Sequence, residues 1–363
     1  MATTSLPQQR SPRQHRYQDG DVVIGVDTHK DIHVVAVLDT TGALLATSSF
    51  ATTLAGCEDL LEWVRGHGNL GVAGVEGTGS WGAGLVRILR REDIAVIEVN
   101  RPDRSMRRRR GKTDTVDAEA AARAVLSGQA TVTPKSHDGM VEVMRLYKLA
   151  KDSAVKARTQ AINQLKGVLI NGDSVLREEL AGKTTHAQVM HCLTLSYDGL
   201  DPVRAAAHRT LRTLAERIRH LSTEVRELEK LLTAAVAETA PRLLDLFGVG
   251  HDSAATLLIA AGDNPDRLTS EAAFAALCGV NPVERSSGKT QRRRLNRGGN
   301  RQANAALFRI ALTRLRADPR THAYVQRRTT EGRTKREILR CLKRYIAREI
   351  FKIVDETVSP TTT

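Results

Sequence analysis

Two aspartates three residues apart follow one of the most basic stretches of the chain. Asp114 and Asp117 lie in "GKTDTVDAEAAARA", which begins directly after "RPDRSMRRRR". Positions i and i+3 are neighbours on one helix face, so both carboxylates share a face if this Ala-rich segment is helical. Such a pair can contribute to a metal site when other carboxylates are brought to the same place.

Two more acidic residues stand where short apolar segments end. Asp27 follows the β-branched run in "IGVDTHKD", and Glu76 follows the run in "GVAGVEGTG". If these first and fourth predicted strands are adjacent, both side chains emerge near one sheet edge, which a helix carrying Asp114 and Asp117 could cross. Clustered carboxylates repel one another unless cations occupy the site. We therefore predict a catalytic metal site of these four residues, with two Mg²⁺ ions expected and Mn²⁺ as a substitute.

Each of these acids has an ordinary explanation when it is taken alone. Asp114 could be a helix N-cap, with Thr113 and Thr115 as competitors, and Asp27 and Glu76 could be turn residues. The four in this order, on these elements, favour the metal site. His29 and His33 lie close to Asp27, but a single histidine near a strand is more often structural, so neither is included among the predicted ligands.

The elements that would position these acids can be read from the apolar patterns. Residues 1–20 are polar and predicted to be disordered. Three β-rich runs are followed by alternating helix and strand patterns, which predicts a mixed sheet covered by helices. This is the order of an RNase H-like α/β domain, expected at 21–135.

A helical region is expected at 140–240. One Ala-rich helix is predicted from 141 to about 176 and a second from about 203 to 239, whose leucine-rich positions alternate at spacings of 3 and 4. The seam consists of Leu211, Leu214, Ile218, Leu221, Val225, Leu228 and Leu232. The two helices could fold back as an antiparallel coiled coil, or the seam could meet another chain. The sequence leaves both open.

The third region, 241–355, is predicted to be mainly α-helical and is strongly basic, before a disordered tail at 356–363. The chain has a formal net charge of +14, and residues 285–352 alone carry 21 Lys and Arg against 4 Asp and Glu. A solvated helical face would interleave acids with these bases, so a polyanionic partner is favoured. No apolar run is long enough for a membrane span, and the four cysteines are widely spaced, so we expect no membrane partner, a cytoplasmic, nucleoid-associated location and reduced thiols.

The motifs in this order resemble a known family. "GVDTHKD", "GVEGTGSWG", "GKTDTVDAEAAA" and "AALCGVNPVERSSGKTQRRRLNRGGNRQANAALFRIA" are similar to the DEDD transposases of the insertion sequence one-ten family. The resemblance covers residues 22 to about 354. It implies a RuvC-like N-terminal domain of RNase H fold whose four carboxylates carry over as Asp27, Glu76, Asp114 and Asp117.

The resemblance also implies a C-terminal transposase domain with a nucleophilic serine. On its residues alone, "RSSGK" is typical of a flexible loop tip; with the resemblance, Ser287 is the expected nucleophile, and the adjacent Ser286 stays an alternative. A serine hydroxyl needs a base or a metal to become nucleophilic. Metal-dependent cutting and rejoining of DNA strands is therefore the predicted activity.

Partners follow from the same resemblance. It implies double-stranded donor and target DNA and a noncoding bridge RNA encoded by the element; a homo-oligomer, dimer or tetramer, is also expected. The residues expected to contact nucleic acid are Arg107, Arg108, Arg109, Arg110, Lys112, Arg285, Lys289, Arg292, Arg293, Arg294, Arg297 and Arg301. Two other readings remain: a Holliday-junction resolvase-like nuclease that uses water and needs no Ser287, and a non-catalytic nucleic-acid-binding protein.

Overall fold

The computed structural model describes residues 17–100, 113–264, 267–288 and 293–358. The chain divides into two compact units. The first consists of Met1–His137 with Asn264–Thr269, and the second consists of Asp138–Asp263 with Ser270–Thr363. The long helical region and the basic C-terminal region thus belong to one unit.

The first unit is built on a five-stranded mixed sheet. Its strands are β1 (Asp21–Thr28), β2 (Ile32–Asp39), β3 (Leu44–Ala51), β4 (Asn69–Val75) and β5 (Ala95–Glu98). They are arranged in the order β3-β2-β1-β4-β5, with β1 antiparallel to β2 and parallel to β4. The predicted adjacency of the first and fourth strands is confirmed, and the mixed sheet is consistent with an RNase H-like domain.

Helices cover both faces of this sheet. They are α1 (Leu54–Arg65), α2 (Ala83–Arg91) and α3 (Asp114–Leu126). Val22, Ile24 and Val26 pack in the core beneath α1 and α2, whereas Val23 packs with the alanines of α3. Because strand residues alternate between the two faces of a sheet, Asp27 is on the same face as Val23, which is the face covered by α3.

The second unit begins with two long helices. Helix α4 spans Met140–Gly172 and α7 spans Pro202–Thr239, with the short helices α5 (Ser174–Glu179) and α6 (Thr185–Leu193) between them.

These long helices pack against each other in antiparallel directions. The C-terminal half of α4 shares an apolar cluster with the N-terminal half of α7, including Leu165 and Ile218. Near the opposite end of the pair, Lys151 Nζ lies 3.6 Å from Glu229 Oε1. The fold-back alternative therefore describes this part of the chain, while supercoiling of the pair stays a prediction.

The remainder of this unit is mainly α-helical, as predicted. Its helices are α8 (Pro241–Leu244), α9 (His251–Ala261), α10 (Glu271–Leu277), α11 (Arg301–Ala317), α12 (Pro319–Thr330) and α13 (Lys335–Val358). Strands β6 (Pro282–Glu284) and β7 (Arg293–Leu295) form an antiparallel hairpin between α10 and α11. None of the helices in the described ranges has the length and apolar character of a membrane span.

Candidate functional site

Helix α3 lies directly on the sheet because two strand positions carry no side chain. A Cβ atom at Gly25 would be 1.9 Å from the carbonyl oxygen of Ala118, and one at Gly74 would be 2.8 Å from that of Ala121. Real Cβ atoms do not approach backbone this closely. The two glycines therefore allow α3 to lie close against the sheet. In this position, the first turn of α3, which contains both aspartates, lies near the end of β1.

Asp114 is the first residue of α3 and is not its N-cap. The N-cap is Thr113, whose Oγ1 accepts a hydrogen bond from the amide of Val116 at 3.4 Å. Asp114 and Asp117 follow in the first turn, where the positive end of the helix dipole favours carboxylates. The Asp117 residue is buried, with 3% of its surface exposed.

Asp27 and Asp114 approach each other around the ring of His29. The Nε2 atom of His29 lies 3.2 Å from Asp27 Oδ2 and 3.4 Å from Asp114 Oδ2. Burial raises the pKa of Asp27; the charge of His29 lowers it, and the charges of Asp117 and Asp114 raise it further. A cation bound beside these acids would relieve their repulsion.

Glu76 follows β4 next to the end of β1. Its amide donates to the carbonyl oxygen of Val26 at 3.0 Å, and Thr28 Oγ1 donates to the Glu76 carbonyl at 2.9 Å. Among the described residues, the group with potential ligand atoms within 4.8 Å of one another consists of Asp27, His29 and Asp114. Glu76 and Asp117 are neighbours of this group, not members of it.

His29 is the residue that the sequence prediction left out. A usable signal was present: Asp27 and His29 are separated by one residue, and alternate residues of an extended segment share a face. Two carboxylates and one imidazole form a donor set that fits a divalent cation, because hard oxygen ligands suit Mg²⁺ and Mn²⁺ and imidazole is accepted by the latter.

The serine loop lies in the second unit, at the end of β6. Ser286 and Ser287 are both exposed, and Ser286 Oγ donates to Glu284 Oε1 at 2.8 Å. Gly288 follows with a φ of +53°, a left-handed conformation that glycine adopts without steric cost. Both serines therefore lie just after β6, directly before a glycine in a left-handed conformation.

A basic groove opens beside this loop. It has a volume of about 1010 Å³, and Ser286 and Glu284 are among its lining residues, whereas Ser287 is not. Eight basic side chains line it: Arg293, Arg294, Arg328, Arg333, Arg340, Lys343, Arg344 and Arg348. Four helical arginines, Lys343 and Arg333, which precedes α13, therefore join the two arginines that were predicted by name.

The charges of the groove crowd one another. Burial lowers the pKa of Lys343, and the charge of Arg340 lowers it further; burial and Arg348 do the same to Arg344. Lys343 Nζ donates to Asn304 Oδ1 at 2.9 Å, which holds it at the groove. A polyanion would relieve this repulsion.

The other predicted contacts are not gathered at the groove. Arg285, Arg297 and Arg301 are exposed and do not line it. The remaining predicted contacts lie outside the described residues: Arg107, Arg108, Arg109, Arg110, Lys112, Lys289 and Arg292.

Two protein-family models match this chain, each over a different range of residues. Residues 24–171 match the IS110 model of DEDD transposases, a range that includes Asp27, Asp114 and nearly all of α4. Residues 240–326 match the Transposase IS116/IS110/IS902 family, a range that includes the serine loop. The chain belongs to the IS110 family of DEDD transposases.

Relatives of this IS110-family transposase come from two bacteria. An uncharacterized 43.6 kDa protein of insertion element IS110 from Streptomyces coelicolor is 31% identical over 39% of the chain and 36% of its own length. The candidate mini-circle transposase for IS117 from the same organism is 25% identical over 86% of the chain and 88% of its own length. A transposase for IS1328 from Yersinia enterocolitica is 28% identical over 49% of the chain and 51% of its own length.

The matches to these relatives differ in extent. The chain spans about a third of the first relative and about half of the third, but most of the second. The predicted family is confirmed by the two family matches.

Proposed function

We propose that this IS110-family transposase cuts and rejoins DNA strands by combining a metal-binding carboxylate site with a serine nucleophile. The observation that carries the proposal is the approach of Asp27 and Asp114 around His29, since these acids come from β1 and α3. Family membership makes DNA the substrate class.

The carboxylate site is proposed to consist of Asp27, Glu76, Asp114 and Asp117, with a pair of Mg²⁺ ions as the expected metal and Mn²⁺ as a substitute. When bound, a divalent cation would polarise the scissile phosphate and offset charge in the transition state. Asp27 and Asp114 would hold it, because their oxygens already face a common point. Asp117 adds negative charge from a buried position, and the carbonyl of Glu76 is tied to the β1 end by Thr28.

The serine step would conserve the energy of the broken bond. The serine oxygen forms a bond to phosphorus while the bond from phosphorus to a deoxyribose oxygen breaks; a base takes the hydroxyl proton, and the leaving oxygen acquires a proton. The reverse sequence, with a different DNA hydroxyl, rejoins the strand. The serine loop and the carboxylate site would have to act on one phosphate, within one chain or between protomers.

Ser287 is the nucleophile proposed from the family resemblance, and Ser286 is its alternative. Support for Ser286 comes from its position in the groove and its hydrogen bond to Glu284, a carboxylate able to accept the hydroxyl proton. Support for Ser287 is its place directly before Gly288, where a phosphate can approach the backbone closely.

The partners proposed are donor and target duplexes, a bridge RNA encoded by the element, and further copies of the chain as a dimer or tetramer. The groove supports a nucleic-acid partner because its eight bases outnumber its acids Glu284 and Glu337, and arginine forks match phosphate oxygens. Removal of co-purified RNA with ribonuclease should stop recombination and leave the protein folded. Nucleoid association would follow from DNA binding.

The test is a covalent protein–DNA adduct on denaturing gels, formed by purified protein with its co-purified RNA. Ser287→Ala should abolish the adduct and recombination, and the exposed Ser153→Ala should do neither. Loss only in Ser286→Ala would assign the nucleophile to Ser286. Cleavage without an adduct in the wild type would support the resolvase-like nuclease, and binding with neither cleavage nor adduct would support the non-catalytic reading.

A further inference from the structure

His29 lies between two acids of the carboxylate site, Asp27 and Asp114. Its Nε2 atom is 3.2 Å from an oxygen of Asp27 and 3.4 Å from an oxygen of Asp114. The backbone fixes the residue here, since the His29 amide donates to the carbonyl oxygen of Ile32 at 3.0 Å. The ring is thus held between acids from two different elements.

The Nε2 atom lies between these two carboxylates and is shielded from solvent. Burial raises the pKa of the Asp27 carboxyl, and the contact with His29 acts to lower it. Ligand atoms about 2.1 Å from one octahedral cation lie about 3 Å apart at right angles. The distances from Nε2 to the two carboxylate oxygens, 3.2 and 3.4 Å, are close to this separation, and all three atoms lie within 4.8 Å of one another.

We propose that His29 is a nitrogen ligand of the divalent cation held by Asp27 and Asp114, and that it shifts the preference of the site from Mg²⁺ towards Mn²⁺. The inference rests on the metal site of the proposed function and adds a residue and a selectivity to it. Mg²⁺ favours oxygen ligands and retains its waters, whereas Mn²⁺, a transition ion, accepts an imidazole nitrogen alongside carboxylate oxygens more readily than Mg²⁺ does. A nitrogen donor therefore stabilises bound Mn²⁺ more than bound Mg²⁺.

The experiment measures metal binding by the full chain without DNA. Mn²⁺ is bound to the wild type, to His29→Gln and to His67→Gln, a control at an exposed histidine of the same unit. Pulsed electron paramagnetic resonance then reports nitrogen coupled to the bound Mn²⁺, and histidine labelled with nitrogen-15 identifies imidazole as its source without any substitution. Calorimetry gives the ratio of Mn²⁺ to Mg²⁺ affinity, and circular dichroism checks folding.

We expect imidazole coupling in the wild type and in His67→Gln, and its loss in His29→Gln. The preference for Mn²⁺ should fall about tenfold in His29→Gln, the scale of losing a well-placed group at a metal site. Bound Mn²⁺ without imidazole coupling in the wild type, or the same coupling in folded His29→Gln, would overturn the role of His29 and leave the proposed site intact. Mn²⁺ binding that is absent in the wild type, or unchanged in Asp27→Asn with Asp114→Asn, would overturn the metal site itself.

Discussion

Gly25 of β1 and Gly74 of β4 are direct partners in the parallel register, and α3 crosses the sheet over this pair. Two adjacent positions without side chains create a flat area on this apolar face of the sheet. The backbone of α3 occupies that area, with Ala118 above Gly25 and Ala121 above Gly74. The position of Asp114 relative to Asp27 therefore depends on the absence of side chains at Gly25 and Gly74.

The first prediction tests this close approach. Gly25→Ala should destabilise the first unit by about 1–3 kcal/mol or more, because the new methyl group meets helix backbone and not a movable side chain. It should also weaken divalent-metal binding, since α3 carries Asp114 and Asp117. Thermal unfolding and Mn²⁺ titration measure the two effects. Gly84→Ala, where a Cβ has open space on α2, should be neutral or stabilising by up to about 1 kcal/mol; equal losses in both variants would contradict the argument.

The second prediction concerns the carboxylate charges. Asp27→Asn and Asp114→Asn should each abolish strand cleavage and leave nucleic-acid binding largely intact, because each removes a ligand charge and little surface. Chelation with EDTA should reproduce the loss. Cleavage assays with Mg²⁺, alongside binding assays, separate the two effects. Asp59→Asn on the exposed side of α1 is the matched control, and full cleavage by the Asp27 variant would exclude a metal role for it.

The third prediction concerns the basic groove. Replacement of Arg293, Arg294 and Arg340 by Gln should weaken nucleic-acid binding and flatten its dependence on salt, since each duplex phosphate contact contributes about 0.9 to the log–log slope. Binding is measured at several salt concentrations. A control with the same charge loss replaces three exposed arginines of α7 outside the groove: Arg217, Arg219 and Arg226. Equal slopes in the two triple variants would mean that the groove arginines contribute to binding no more than other surface charges do.

The fourth prediction compares the two sets of positions that alternate along the heptad seam of α7, one represented by Ile218 and the other by Leu221. Ile218 is buried against α4, whereas Leu221 is only half-buried. Ile218→Asp should cost about 3 kcal/mol or more because it buries an unpaired charge, and Leu221→Asp should cost clearly less. Urea unfolding gives both values. A larger loss for Leu221→Asp, or a change of mass only in that variant, would indicate that the set represented by Leu221 is covered by another chain.

The fifth prediction is a pH dependence of the helical region. Burial acts to raise the pKa of Asp173, but the amide of Leu176, His208, Arg204 and the amide of Val175 together lower it to about 2. The unfolded value is about 3.9, so this carboxylate stabilises the fold above that pH, and its contribution is lost as the pH falls towards 2.

Asp173→Asn is the corresponding variant, because asparagine keeps the capping oxygen but not the charge. Its urea midpoint should lie below that of the wild type at pH 7, and the difference should shrink as the pH is lowered below about 4. Asp201→Asn, at the exposed N-cap of α7, should show a smaller difference. A deficit for Asp173→Asn that does not change with pH would exclude the charge as its cause.

Local pattern in the sequence was sufficient for the elements and for part of the site. Strand alternation, the Thr113–Asp114–Asp117 spacing and the heptad of α7 each depend on residues close together in the chain, and the strands and helices lie where these patterns predict them. The order of strands and helices also predicted the meeting of β1 and β4. Family motifs then identified the transposase, but which serine acts stays a prediction.

The tertiary structure decided what depends on distances across the fold. The contact of His29 with Asp114 requires α3 to settle over Gly25 and Gly74, and no local pattern carries that distance. The same holds for the burial of Ile218 and for the groove, where arginines of α13 meet those of the β6–β7 hairpin. Backbone preference is set by near neighbours, whereas the approach of side chains from separate elements is set by how those elements pack.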